Sequence, residues 1–94
     1  MREIVLINIT GKDKPGLTAS LTKTLAEYNV TILDMGQAVI HDLLSLGILI
    51  EIPDQHKSAS ILKEMLFAAH KLGIAAQFTP IDEERYEEWV NQQG

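Results

Sequence analysis

Thr10–Thr18 reads TGKDKPGLT and joins two segments of different periodicity. Upstream, Glu3–Thr10 is rich in β-branched residues and has neither Pro nor Gly, the pattern of an interior strand. Downstream, Leu17, Leu21, Leu25 and Tyr28 recur at helical spacing and make one apolar face. Pro15-Gly16 therefore converts a strand into a helix, with Pro15 expected at the first helical position, where its missing N–H is harmless.

The rest of the chain extends this unit. Asn29 is suited to a left-handed helix stop. Val30–Ile40 and Leu43–Ile52 are two further strands, joined as a hairpin by His41-Asp42. Beyond Pro53-Asp54 the spacing predicts a second helix from about His56 to Leu72. Ala59, Leu62, Met65, Leu66, Ala69 and Leu72 would mark its inner face, and Gly73 would cap it. Ile74–Ile81 is a fourth strand, with Pro80 acceptable at a sheet edge. Asp82 then caps a short helix carrying Tyr86, Trp89 and Val90 on one side.

The order β-α-β-β-α-β, with right-handed crossovers, implies an α+β, ferredoxin-like domain over residues 1–81. It comprises a four-stranded antiparallel sheet with two helices on one face and the first and third strands in the middle. Residues 82–94 form an acidic C-terminal helix or a linker to a following domain. If Val5, Ile7 and Ile9 face the helices, Ile4 and Leu6 point the other way, together with Leu43 and Leu49 of the third strand. A one-sided antiparallel sheet usually alternates more cleanly. A partner subunit, a neighbouring domain or the tail helix is each able to cover that face, and a homo-oligomer, most simply a dimer, is expected.

Composition narrows the function. The 94 residues include no Cys, so there is neither a disulfide framework nor a thiolate metal site, and a reducing cytoplasm is the default location. The net charge is −5. Asp82, Glu83, Glu84, Glu87 and Glu88 against Arg85 place −4 of it in the tail, leaving residues 1–81 near neutral. Neither part carries the basic stripe that nucleic acid requires. No apolar run approaches a membrane span, and Arg2-Glu3 ahead of a strand argues against a signal peptide.

The loop itself has the frame Gly11-x4-Gly16-x-Thr18 of a phosphate-binding loop, but Leu17 stands where the essential Lys belongs and Pro15 has no N–H. A second reading is a plain tight turn. A third gives it a ligand: the N–H groups of Gly16, Leu17 and Thr18 begin a helix and attract a carboxylate, while Asp13 meets an ammonium or caps the helix. Such a loop matches both ends of a free amino acid. His41, His56 and His70 have no metal-ligand spacing, so no metal is expected. Ser20, Ser45, Ser58 and Ser60 lie in no nucleophile motif, and the Glu pairs of the tail read as a solvated helix face.

GKDKPGL at Gly11–Leu17, LAEYNVTIL at Leu25–Leu33 and the two strands that follow resemble an ACT domain, the small regulatory module that senses amino acids. VLINITGKDKPGLTASL, NVTILDMGQAVIHDLLSLGILIEI and RYEEWVNQQG also resemble the N-terminal regulatory region of bacterial phosphoserine phosphatases with two ACT units. That resemblance implies a parent with a second ACT unit and a magnesium-dependent catalytic domain acting in serine synthesis. The catalytic family needs an Asp-x-Asp motif, which these residues lack, so this chain is expected to be no enzyme and to need no cofactor itself. The ligand contacts carried over fall on Asp13, Pro15, Gly16, Leu17, Asn29 and Thr31, with serine or glycine as the implied ligand at a domain or subunit interface. Serine-binding ACT domains often place Asn where this chain has Asp13 and Thr31. Acylphosphatases share the element order but hold phosphate with an Arg in the first loop, and neither Arg2 nor Arg85 lies there. The alternatives are an ACT-type regulator of another pathway, resembling glycine-cleavage regulators, or a ligand-free dimerisation module.

Overall fold

The computed structural model describes residues 3–54 and 57–93. Arg2, His56 and Gly94, which enter the sequence reading, lie outside these. The described elements are β1 (Glu3–Lys12), α1 (Leu17–Glu27), β2 (Thr31–Ile40), β3 (Leu43–Ile52), α2 (Ser58–Lys71), β4 (Ala75–Ile81) and α3 (Glu83–Gln93). The strands form one antiparallel sheet in the order β2-β3-β1-β4. The architecture is the expected ferredoxin-like βαββαβ, with β1 and β3 central and Pro80 on the edge strand β4, where a residue without an N–H is tolerated.

Alternation along the two central strands builds the core. Val5, Ile7 and Ile9 of β1 and Leu44, Leu46, Ile48, Ile50 and Ile52 of β3 are buried in one cluster with Leu17, Leu21 and Leu25 of α1. Helix α2 adds Ile61, Met65 and Ala69. This corrects the expected inner face of α2: Ala59 and Leu66 are exposed, and Leu62 and Leu72 only half-buried. The helix meets the sheet along the i, i+4, i+8 series from Ile61, with Ser58 buried one turn earlier.

Both core helices end as their sequences suggest. Asn29 (φ 57°) and Gly73 (φ 70°) adopt the left-handed conformation. The N–H groups of Asn29 and Val30 bond to the carbonyls of Ala26 and Leu25, and those of Gly73 and Ile74 to His70 and Ala69. These are two Schellman closures, each satisfying carbonyls that the helix leaves open.

The face away from α1 and α2 is partly covered within the chain. Asp82 Oδ1 accepts the N–H of Arg85 at 2.7 Å, capping α3 as expected. Helix α3 then runs beside that face, where Tyr86 and Trp89 share a cavity wall with Leu6 and Leu49. Ile4, which points to that face, is only 2% exposed. Among the described elements, α3 is the one on that side of the sheet.

Candidate functional site

The loop after β1 is the first candidate, and its backbone differs from the expectation. The strand continues through Gly11 and Lys12, and α1 begins only at Leu17. Gly16 (φ 79°, ψ 1°) is its N-cap, and Leu17 donates its N–H to the carbonyl of Lys14 at 3.2 Å. Lys14-Pro15-Gly16-Leu17 is thus a type II turn: Pro sets the first central residue, and Gly alone takes the left-handed second without strain. Pro15 therefore stands outside the helix, because a left-handed Gly16 cannot be helical. The Leu17 N–H is already bonded, and its side chain is buried in the core. Thr18 and Ala19, in the first turn of α1, keep N–H groups with no intrahelical acceptor.

Asp13 is exposed and provides no side-chain cap for α1. Its own N–H bonds to the carbonyl of Asp42 at 2.7 Å, tying the loop to the β2–β3 hairpin. Two further contacts tie it to the end of α2. A Cβ on Gly11 would lie 2.7 Å from Ile74 Cγ2, so strand and helix end approach as closely as glycine allows. The ammonium of Lys14 donates to the carbonyl of Leu72 at 3.0 Å. On the other flank, the Thr18 hydroxyl donates to Gln37 Oε1 of β2 at 3.2 Å. The structural parts of Lys14 and Gln37 were not legible in the sequence: the loop motif contains Lys14 but does not say that it reaches Leu72, and Gln37 belongs to no local pattern.

Asn29 and Thr31 sit elsewhere. Thr31 lies opposite Glu51, which pairs with Ile4, at the start of β1; the Asp13 loop follows Lys12, at its end. The two levels differ by eight residues of strand, roughly 25 Å at the usual rise. One copy of the chain does not bring Asp13, Pro15, Gly16 and Leu17 together with Asn29 and Thr31.

Other chemistry is sparse. Among the described residues no group of three or more His, Cys, Asp or Glu is placed to hold a metal ion. No described helix is long and apolar enough to cross a membrane. Tyr28, at the end of α1, is pushed above its ordinary pKa of 10.0 by partial burial first, then by Glu64 and Glu27.

The model of the ACT domain family matches residues 3–79. The chain belongs to the ACT domain family. The phosphoserine phosphatase SerB2 of Mycobacterium tuberculosis is 38% identical over 71 residues, which cover 74% of this chain but only 17% of that protein. A UPF0237 protein of Methanococcus maripaludis is also 38% identical over 71 residues, covering 76% of each chain. Among solved structures, one provisionally assigned as a glycine cleavage system transcriptional repressor superposes with a TM-score of 0.81 at 13% identity, over 87% of this ACT chain and 47% of the other. At that identity the likeness speaks for the fold alone.

Proposed function

We propose that this ACT domain senses a small amino acid, serine or glycine, and acts as the regulatory part of a phosphoserine phosphatase. The observation that carries the reading is the Pro15-Gly16 turn, which leaves the first-turn N–H groups of α1 and the Asp13 carboxylate on one exposed loop. The N–H groups suit a ligand carboxylate and Asp13 its ammonium. Because Thr31 lies at the far end of the sheet, a full site takes the loop from one ACT unit and the start of β2 from another. A homodimer, or a second ACT unit in a longer chain, supplies that arrangement. The phosphatase relative supports the parent enzyme, whose magnesium-dependent catalytic domain would lie outside these residues, in the cytoplasm. The regulatory chain itself has no phosphatase activity on this reading.

The UPF0237 relative favours a second reading. Its match spans most of its own length, so the domain would regulate another amino-acid pathway without a phosphatase attached.

The test is an amide-shift titration with serine and glycine at millimolar concentration, run beside sedimentation of the same samples. Movement of Asp13–Ala19 and Asn29–Thr31 together, in a dimer, is the expected result. Asp13→Ala should weaken binding by about 1.5–3 kcal/mol. Shifts absent from both segments would overturn the sensing reading.

A further inference from the structure

The strongest unassigned feature lies on the opposite side of the sheet from α1. A cavity of about 370 Å³ opens between α3 and the outer sheet face, within the size range of small-molecule sites. Its walls are apolar, with Leu6 and Leu49 from the central strands and Trp89 from α3.

Its floor holds a cross-strand pair of glycines, Gly36 on β2 and Gly47 on β3. The fold demands glycine at neither. The glycines with positive φ are Gly16 and Gly73, so Gly36 and Gly47 have ordinary backbone conformations. A Cβ on Gly36 would meet nothing within 4 Å, and one on Gly47 would make only ordinary contacts, the nearest at 3.7 Å from Asn8 Oδ1. Two glycines side by side weaken a sheet and gain it no packing. What they provide is access to a bare patch of sheet beside an apolar wall, the arrangement expected where a ligand approaches the backbone.

Two charged side chains complete the lining. Asp34 stands on β2 and Arg85 on α3. The Asp34 carboxylate accepts the N–H of Met35 through Oδ1 at 2.8 Å, which fixes its orientation. Neither Asp34 nor Arg85 forms an ion pair among the described residues. An apolar trough carrying one cation and one anion is complementary to an apolar molecule that bears both charges.

We propose that this trough is a second ligand site, taking a small apolar zwitterion. The apolar body lies over the glycine pair against Leu6, Leu49 and Trp89, an anionic group meets Arg85, and a cationic group meets Asp34. The chemistry fits a bulky apolar amino acid, with both charges on one carbon, or a short apolar peptide, with its charges apart. The proposal stands apart from the β1–α1 loop and does not rest on that loop binding anything.

Trp89 is the only Trp in the chain, so its fluorescence reports on this site. The chain would be titrated with phenylalanine, leucine, the dipeptide Phe-Leu and uncharged N-acetylphenylalaninamide. A saturable change in Trp89 emission is expected with the free amino acids or the dipeptide, and the tighter of the two identifies the source. The uncharged analogue should bind about tenfold more weakly, as should the free ligands to Arg85→Gln and Asp34→Asn. Gly36→Val, which places its side chain in open space within the trough, should abolish the response while circular dichroism shows an intact fold. Asp13→Ala should leave the response unchanged, which separates this site from the loop. No saturable response to any charged probe would overturn the proposal. So would equal binding of the uncharged analogue, or a response that survives in folded Gly36→Val. Should that variant fail to fold, the Arg85→Gln and Asp34→Asn affinities decide alone.

Discussion

Lys14 Nζ donates to the carbonyl oxygen of Leu72 at 3.0 Å across 58 residues of sequence. Leu72 is the C-cap of α2, where unsatisfied carbonyls and the helix dipole concentrate negative charge. The Lys of the loop motif is therefore engaged as a helix cap, and the loop is held at the α2–β4 corner. Replacing Lys14 by Met keeps much of the stem and removes the ammonium. The expected loss is modest because the bond is exposed: about 0.3–1 kcal/mol, measured by urea unfolding and diminished in high salt. A loss unaffected by salt would assign the effect to packing of the stem instead.

Gly11 and Ile74 form the tightest approach beneath that strap. Gly11→Ala would drive its Cβ into Ile74 Cγ2 and should destabilise the fold by about 1–3 kcal/mol. Pairing it with Ile74→Ala, which removes the clashing methyl, should restore part of that loss. Strict additivity in the double-mutant cycle would mean the two residues do not meet.

The rotation of α2 makes a sharper contrast. Ile61 is 1% exposed and Leu66 is 48% exposed. Ile61→Ala should cost about 2–5 kcal/mol by leaving a cavity, whereas Leu66→Ala should fall within about 0.5 kcal/mol of the parent. A larger loss in Leu66→Ala than in Ile61→Ala would place α2 in the orientation first expected from its leucines.

Tyr28 supplies a pH prediction. Its pKa is raised above 10.0 in the folded chain, so folding favours the protonated phenol. The associated stability is fully present below the unfolded value and is lost as pH rises through the folded one. In a Tyr86→Phe background, absorbance at the phenolate band should report a midpoint above the ordinary value, and Glu64→Gln should lower it. A midpoint indifferent to Glu64 would remove that carboxylate from the account and leave partial burial as the cause.

The element order was legible because its signals are local. Pro15-Gly16 permits a type II turn whatever surrounds it, and Asn29 and Gly73 accept the left-handed conformation that closes a helix. The alternation of β1 and β3 fixed which residues face the core, since side chains on a strand change sides at every step. The site was less legible. The sequence marked the loop as a place where N–H groups and a carboxylate gather, but it put Pro15 inside the helix and left the Leu17 N–H free. The left-handed conformation of Gly16 and the bond from Leu17 to Lys14 reversed both points.

Tertiary structure decided whatever depends on which surfaces meet. The expected and observed inner faces of α2 share Met65 and Ala69; they differ by a rotation that turns Ile61 in and Leu66 out, and that rotation is set by how the helix meets the sheet. Ile4 points away from the core helices, as its strand position requires, yet is only 2% exposed. Asp13 and Thr31 lie close in sequence yet at opposite ends of the sheet, because α1 carries the chain back along β1 before β2 begins. Local propensity and periodicity describe a residue by its neighbours in the chain, while the Lys14–Leu72 bond and the trough under Trp89 arise from residues that only the packed sheet and helices bring together.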